Sequence, residues 1–282
     1  GVAGVVLDGL TIMGAYTAAG GPINAAGVLV IDSDQTASIR NCRIQFNTTG
    51  YNGSGGIRLI DSSPLITRCT IVQNYTDGVG GGIYMTGDSQ PAIEKSLIGG
   101  NQANSGGGGV CAGGNSISRI TNCVIVGNDS NNWFGGGIRL SGAPGTVVAN
   151  TTLAYNDGES GGGGGVYVTS DSRFVNCIFA GNRNFAVSDW SDGGLNLEQC
   201  LFYANFHGDY TAPVRGGVIV QNGAAAINSQ VTGATGNLDG NPAFQVTGGT
   251  WTAPRTYNSA TGRTTLTDAA ASFVPGELKG RL

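Results

Sequence analysis

The chain is poor in charge and poorer still in lysine. Only 11% of its 282 residues are Asp, Glu, Lys or Arg, and lysine occurs twice. An average soluble domain carries roughly 25% charged residues. Only 4 Glu accompany the 14 Asp, so the strong helix formers Glu and Lys are nearly missing while the poor helix former glycine abounds. That balance excludes a mainly helical protein. With little lysine and a pI of about 4.9 there is no basic face, which excludes a nucleic-acid partner. No apolar run approaches the roughly 20 residues of a membrane helix. Disorder is excluded too, because 40% of the residues are hydrophobic and the net charge is only -4. The composition is that of an all-β, turn-rich chain with one elongated core.

What the chain has in quantity is glycine, 51 residues, and a repeat. Asparagine recurs at Asn47, Asn74, Asn101, Asn128, Asn156, Asn182 and Asn205, at spacings of 27, 27, 27, 28, 26 and 23 residues. Three before each stand Ile44, Ile71, Ile98, Ile125, Leu153, Phe179 and Phe202. Eight before stand Ile39, Ile66, Ile93, Ile120, Val148, Phe174 and Leu197. Five before stand Cys42, Cys69, Ser96, Cys123, Thr151, Cys177 and Cys200. A Gly-Gly-apolar triplet keeps the same rhythm, from Gly55-Gly56-Ile57 through Gly164-Gly165-Val166 to Gly193-Gly194-Leu195 and Gly216-Gly217-Val218. Alternation within the unit is strand-like, as in Ile57-x-Leu59 and Ile83-x-Met85. The glycine clusters forbid helical repeats, and a Leu-dense consensus is missing. The odd step between the eight-before and five-before positions demands a bend. The pattern therefore predicts three short strands per unit, each unit one turn of a solenoid, with coils about 4.8 Å apart.

Copies such as Ser63-Pro64-Leu65-Ile66-Thr67-Arg68-Cys69-Thr70-Ile71-Val72-Gln73-Asn74 resemble the short repeats of right-handed parallel β-helix proteins, the pectate-lyase-like superfamily. Phe179-Ala180-Gly181-Asn182 and Phe202-Tyr203-Ala204-Asn205 are similar to repeats of secreted bacterial surface and adhesin proteins of the polymorphic outer-membrane type. Gly236-Asn237-Leu238-Asp239-Gly240-Asn241-Pro242-Ala243-Phe244 resembles the segment that closes such a helix. The resemblance covers about residues 5–220 and implies an all-β right-handed parallel β-helix of about 8–9 coils. The expected organisation is a β-helix over 1–220 and an irregular β closing or packing segment over 221–282, which continues into or docks on a neighbour. The architecture hosts lyases, hydrolases, epimerases, adhesins and inert stalks, so it implies no single activity.

Each column has a physical reading. The asparagines are expected at a tight bend, tolerating left-handed backbone and bonding amide to amide from coil to coil as a ladder. Five cysteines share the inward slot that Ser96 and Thr151 fill elsewhere, so they read as small buried residues. Stacked neighbours keep their Cβ atoms about 4.8 Å apart, beyond the roughly 3.8 Å a disulfide prefers. Free thiols are expected, with Cys42–Cys69 and Cys177–Cys200 left open as pairs. Cys111 lies off the column and is expected to point outward as an exposed thiol. Six before each ladder position stand Asn41, Arg68, Lys95, Asn122, Asn150, Asn176 and Gln199, read as the solvated face of the second strand. The third strand differs. Its outward positions include Val72, Leu97, Val124, Val126, Ile178, Leu201 and Tyr203, which makes it apolar on both sides. Such a strand is normally covered on both faces. Residues 206–275 or a neighbouring subunit are expected to cover it, making this an association face.

Signs of chemistry are sparse. A lyase of the resembled type would need carboxylates gathered around Ca²⁺ and an Arg or Lys base, and a hydrolase would need paired Asp residues on one strand. No coil carries such a pair. Asp61, Asp88 and Asp171 read as turn formers. The densest mix of acid, aromatic and imidazole is Asp189, Trp190, Asp192, His207, Asp209 and Tyr210. If the chain is an enzyme, its catalytic candidates are Asp189, Asp192, His207 and Asp209. Trp133, Phe134, Trp190 and Tyr210 would suit a glycan-binding edge. Asp129, Asp157 and Glu159 are the candidates for Ca²⁺; otherwise no cofactor is expected. The chain starts at Gly1 and reads as a mature or excised piece, with uncapped ends expected to seek a partner. The reading that follows is a non-catalytic, extracellular or cell-surface structural or adhesive β-helix, part of a larger surface protein or a self-associating filament. A polysaccharide lyase or glycoside hydrolase and a glycan-binding module are the alternatives. Neither nucleic acid nor a membrane span is expected.

Overall fold

A computed structural model describes residues 4–18, 24–51, 53–131, 133–158, 162–214 and 217–240, together with the strands Thr256–Asn258 and Arg263–Thr265. The chain winds as a parallel β-solenoid. One circuit runs through strands Ile57–Ile60, Leu65–Thr67, Thr70–Val72 and Tyr75–Thr76 before Ile83–Thr86 starts the next. Stacked coil on coil, these make four sheets, named first to fourth in that order. The first three hold nine strands each and the fourth six. The fourth, two-residue strand was not expected; it follows the ladder asparagine and is too short to show a period-2 pattern.

The register is that of the columns. Ile39, Ile66, Ile93, Ile120, Val148, Phe174 and Leu197 pair in series on the second sheet. Ile44, Ile71, Ile98, Ile125, Leu153, Phe179 and Phe202 do so on the third. All of these are buried, nearly all to completion. Like side chains therefore pile on like through the core, and in the last coils the Phe179 and Phe202 rings stack 5.1 Å apart at an interplanar angle of 7°.

The asparagine ladder is continuous. Each Nδ2 donates to the Oδ1 of the next coil, from Asn47 to Asn205, at 2.9–3.1 Å. Each Oδ1 also accepts the backbone N–H of the preceding asparagine. The left-handed residue is not the asparagine itself but the one before it: Phe46, Gln73, Tyr155 and Ala204 have φ of 50–55°, and glycine fills the slot at Gly100, Gly127 and Gly181. A second left-handed bend lies between the second and third sheets. It holds Asn41, Arg68, Lys95, Asn122, Asn150, Asn176 and Gln199 at φ of 49–55°. These exposed residues are therefore bend residues, not the face of a strand. Nothing in Arg68 or Lys95 announces a positive φ; the adjoining strands impose it, against an intrinsic cost of roughly 1–2 kcal/mol.

The residue after that bend must be small and carry a hydrogen-bonding tip. Ser96 Oγ accepts the Cys69 N–H at 3.1 Å and Thr151 Oγ1 the Cys123 N–H at 3.3 Å, while Cys69 Sγ donates to the Thr67 and Ile39 carbonyls at 3.4 Å. A similar serine ladder closes the turn between the first and second sheets, where the Ser33 N–H meets Ser62 Oγ and the Ser62 N–H meets Ser89 Oγ.

All six cysteines are free and buried. Cys111 corrects the expectation of an exposed thiol: it is 3% exposed. It does point off the core column, but the glycine loop of the same coil folds back over it. A Cβ on Gly107 (φ +65°) would lie 2.7 Å from the Cys111 Cβ, so glycine is what lets the loop settle there. Burial pushes the Cys69, Cys111 and Cys123 thiols up to about 11. The stacked neighbour Cys200, and then burial, raise the Cys177 thiol. Ellman's reagent at mildly alkaline pH is expected to label none of the six thiols in the native chain and all six after denaturation in guanidinium chloride. A thiol that reacts at once in the native protein would contradict this packing.

The last triplets belong elsewhere in the coil. Leu195 pairs with Ser172 on the second sheet, so Gly193-Gly194-Leu195 does not continue the first-sheet series; Ala186 and Val187 take that place. Val218 lies in an antiparallel hairpin, Gly208–Val214 with Gly217–Gln221, that ends the first sheet. Past residue 220 the sheets go on: helix Ala224–Gln230 leads to Ala234–Thr235 and Leu238–Asp239, which add to the second and third sheets. The solenoid unit thus extends to Asn241, beyond the boundary at 220 that the fading repeat suggested. Residues 242–282 form a second unit, in which Thr256–Asn258 pairs antiparallel with Arg263–Thr265. The sequence also reads as a strand at Val246–Trp251 and as a short turn or helix at Ala269–Phe273; both lie outside the described residues.

Candidate functional site

Two features rise above the scaffold: a strip along the third sheet and a cleft at the last coils. The strip follows from register. The outward positions Thr70, Leu97, Val124, Thr152, Ile178, Leu201 and Leu238 stand in one row. Val72, Gly99, Val126, Ala154, Ala180 and Tyr203 stand in the row beside it. Seven strands at the usual spacing make this roughly 30 Å long. Leu97, Val124 and Tyr203 are 37%, 43% and 39% exposed, so no described residue covers them. The described part of the expected cover, 206–240, instead forms the end hairpin, helix and last strands.

The cleft, of about 340 Å³, is lined by Asp189, Trp190, Asp192, Gly193, Tyr210, Ala212, Pro213, Gln230, Val231 and Thr232. Asp189 and Tyr210 occupy core columns. Asp189 follows Leu59, Met85, Ala112, Leu140 and Val168; Tyr210 follows Ile138, Val166 and Val187. The Tyr210 hydroxyl donates to Asp189 Oδ2 at 2.7 Å, and Oδ1 accepts the Ser191 N–H at 2.9 Å and hydroxyl at 2.6 Å. Burial, and then the adjoining carboxylate, raise the Tyr210 phenol far above its ordinary range. Asp189 is thus a carboxylate held by three neutral donors. Trp190 stands exposed at the lip, its indole N–H donating to Ser188 Oγ at 3.2 Å, and Asp192 is exposed at a left-handed bend.

The catalytic candidates therefore separate. Asp189 and Asp192 share the cleft; His207 and Asp209 do not line it. His207 packs near Phe206 and Phe185, with ring centroids 5.1 and 6.1 Å away. Asp209 caps the ladder, accepting Asn205 Nδ2 and the Gly223 N–H at 2.8 Å each. The aromatic candidates separate as well. Trp190 and Tyr210 belong to the cleft, whereas Phe134 stacks 4.5 Å from Tyr167 with Trp133 edge-on at 6.0 Å. Of the Ca²⁺ candidates, Asp129 and Asp157 are neighbours on the fourth sheet, but Asp157 is bonded by Arg183 at 3.1 Å and Glu159 lies outside the described residues. No group of three metal-ligating side chains occurs among the described residues. Asp61 and Asp88 act as turn formers, Asp61 Oδ1 accepting the Asp88 N–H at 2.9 Å.

The repeat pattern did not point to Gln230 and Thr232, because they lie where it has faded. It also missed a shallow groove of about 410 Å³ on the second sheet, lined by Gln35, Leu65, Gln90, Ala92, Ile117, Arg119 and Val147 among others. No acid lines that groove, so it offers no acid–base pair.

The profile described as "Right handed beta helix region" matches residues 2–104 and 82–237, which together span most of the chain. The chain belongs to the right-handed β-helix family. No curated protein and no solved structure matches it. Membership accounts for the parallel sheets, and no helix among the described residues is long and apolar enough to cross a membrane. Right-handed β-helices differ in activity, so function has to be argued from the strip and the cleft.

Proposed function

We propose that this β-helix is a non-catalytic structural or adhesive module of the cell surface or extracellular space, and that its third-sheet strip mediates self-association or contact with neighbouring domains. One observation carries the reading: a two-row face along the third sheet, apolar but for Thr70 and Thr152, left open beside the polar bend that leads into it. Large exposed apolar patches on soluble proteins mark contact surfaces. The acids of the chain support it from the other side. Asp209, Asp157 and Asp61 are each held by donors of the fold, as scaffold residues would be.

Sedimentation across a concentration series tests this. The chain is expected to associate reversibly, and Val124→Lys, which sets an ammonium in the middle of the strip, is expected to weaken association about tenfold or more. A strictly monomeric particle at every concentration, or association indifferent to Val124→Lys combined with Leu97→Lys, would overturn the proposal. Release of unsaturated or reducing sugars from a polysaccharide panel would establish the enzymatic alternative instead.

A further inference from the structure

The end cleft carries a second inference, independent of the strip. Asp189 is 5% exposed in a column that earlier coils fill with Leu59, Met85, Ala112, Leu140 and Val168. Tyr210, 4% exposed, replaces an aliphatic residue in the next column. A carboxylate in such a slot disfavours folding unless its charge is answered. Its three hydrogen-bond donors are all neutral. None of the ion pairs among the described residues includes Asp189 or Asp192, and no Lys, Arg or His lines the cleft. Departures from an otherwise consistent pattern concentrate at functional sites. Here two polar departures meet at one opening, with a second carboxylate and an exposed indole at its edge.

We infer that this cleft binds an organic ammonium ion, an amine or amino sugar. Its charge complements Asp189 and Asp192, and its carbon frame lies against the Trp190 ring. An anion is excluded by two uncompensated carboxylates. A neutral polyol would leave both charges unanswered. An ammonium group gains Coulombic attraction from the acids and a cation–π contact of the kind seen over indole faces. Asp189 stays a positioning and charge-bearing residue here, and no bond is made or broken.

The test is calorimetric titration of the full chain near pH 6 with two protonated probes, glucosamine disaccharide and putrescine, each against its N-acetylated, uncharged form. At least one protonated probe is expected to bind about tenfold or more tightly than its acetylated partner, and to weaken as salt is raised. A tighter disaccharide points to an amino sugar as the source of the amine; a tighter diamine points to an alkyl amine. Trp190→Ala combined with Asp192→Asn is expected to lower that affinity about tenfold. Both side chains are exposed, so the variant should keep the thermal midpoint of the parent. Equal binding of charged and acetylated forms, binding by neither protonated probe, or binding unchanged in the double variant would each overturn the inference.

Discussion

Asn128→Ala is expected to lower the unfolding free energy by about 3–5 kcal/mol, read as a shift in the urea midpoint. Asn128 stands mid-ladder and fully buried. Its Nδ2 donates to the Ile98 carbonyl and to Asn156 Oδ1, each at 3.0 Å, while its Oδ1 accepts the Asn101 N–H and Nδ2 at 3.0 Å. Alanine removes all four of these hydrogen bonds in a region closed to water; Asn101 Nδ2 keeps the Ile71 carbonyl and Asn156 Oδ1 keeps the Asn128 N–H, but each is left with one partner fewer. Each buried hydrogen bond lost costs about 1 kcal/mol or more before relaxation, so the sum of four exceeds what one ordinary hydrogen bond contributes. The preceding coils cannot collapse into the gap, because Gly109 and Gly137 pack there: a Cβ on Gly109 would lie 3.1 Å from Asn128 and 2.5 Å from the Gly137 carbonyl oxygen. Asn205→Ala makes the control. It sits at the ladder's end, only partly buried and with Asp209 as a further partner, so about 1–2 kcal/mol is expected. If Asn128→Ala unfolds within about 0.5 kcal/mol of the parent, as a surface substitution would, the ladder does not hold the coils together.

Phe179→Ala is expected to cost about 3–5 kcal/mol by the same measurement. Its ring is fully buried, stacked on Phe202 and tilted 51° against Phe174 at 5.9 Å. In the preceding coils the same column holds Leu153 and Ile125, so the C-terminal coils fill this column with aromatic volume. The backbone of each coil is pinned by hydrogen bonds to the coils on either side, and a parallel stack cannot move inward at one level alone. The cavity left by the ring therefore persists, and its volume adds to the lost transfer energy. Phe179→Leu, which restores the residue type of the coil before, is expected to recover most of the loss, leaving about 1–1.5 kcal/mol. Equal damage from Leu and Ala would show that ring stacking, not volume, is what the column needs.

Much of this architecture was legible in the chain because a solenoid is a translation, and translation leaves a period in the sequence. The spacing from Asn47 to Asn205, the Ile44 and Ile39 columns and the inward run of Cys42, Cys69, Ser96 and Cys123 name positions that recur at the same height in every coil. The bends were legible as places but not as conformations, since Arg68 and Lys95 adopt positive φ only because two strands converge on them. The candidate site was legible in part. Asp189, Trp190, Asp192 and Tyr210 stood out by composition, but their grouping with Gln230 and Thr232, and the exclusion of His207 and Asp209, followed from the path of the last hairpin and helix.

The sequence by itself determined the period, the core columns, the amide ladder and the apolar third-strand face, because each depends only on which residues return to the same slot. Tertiary structure alone decided what non-periodic segments do. It buried Cys111 beneath a glycine loop, moved Leu195 to another sheet and turned Asp189 toward Tyr210. Those outcomes depend on how loops of unequal length cross the outer faces and the end of the stack, and no residue's neighbours along the chain encode that path.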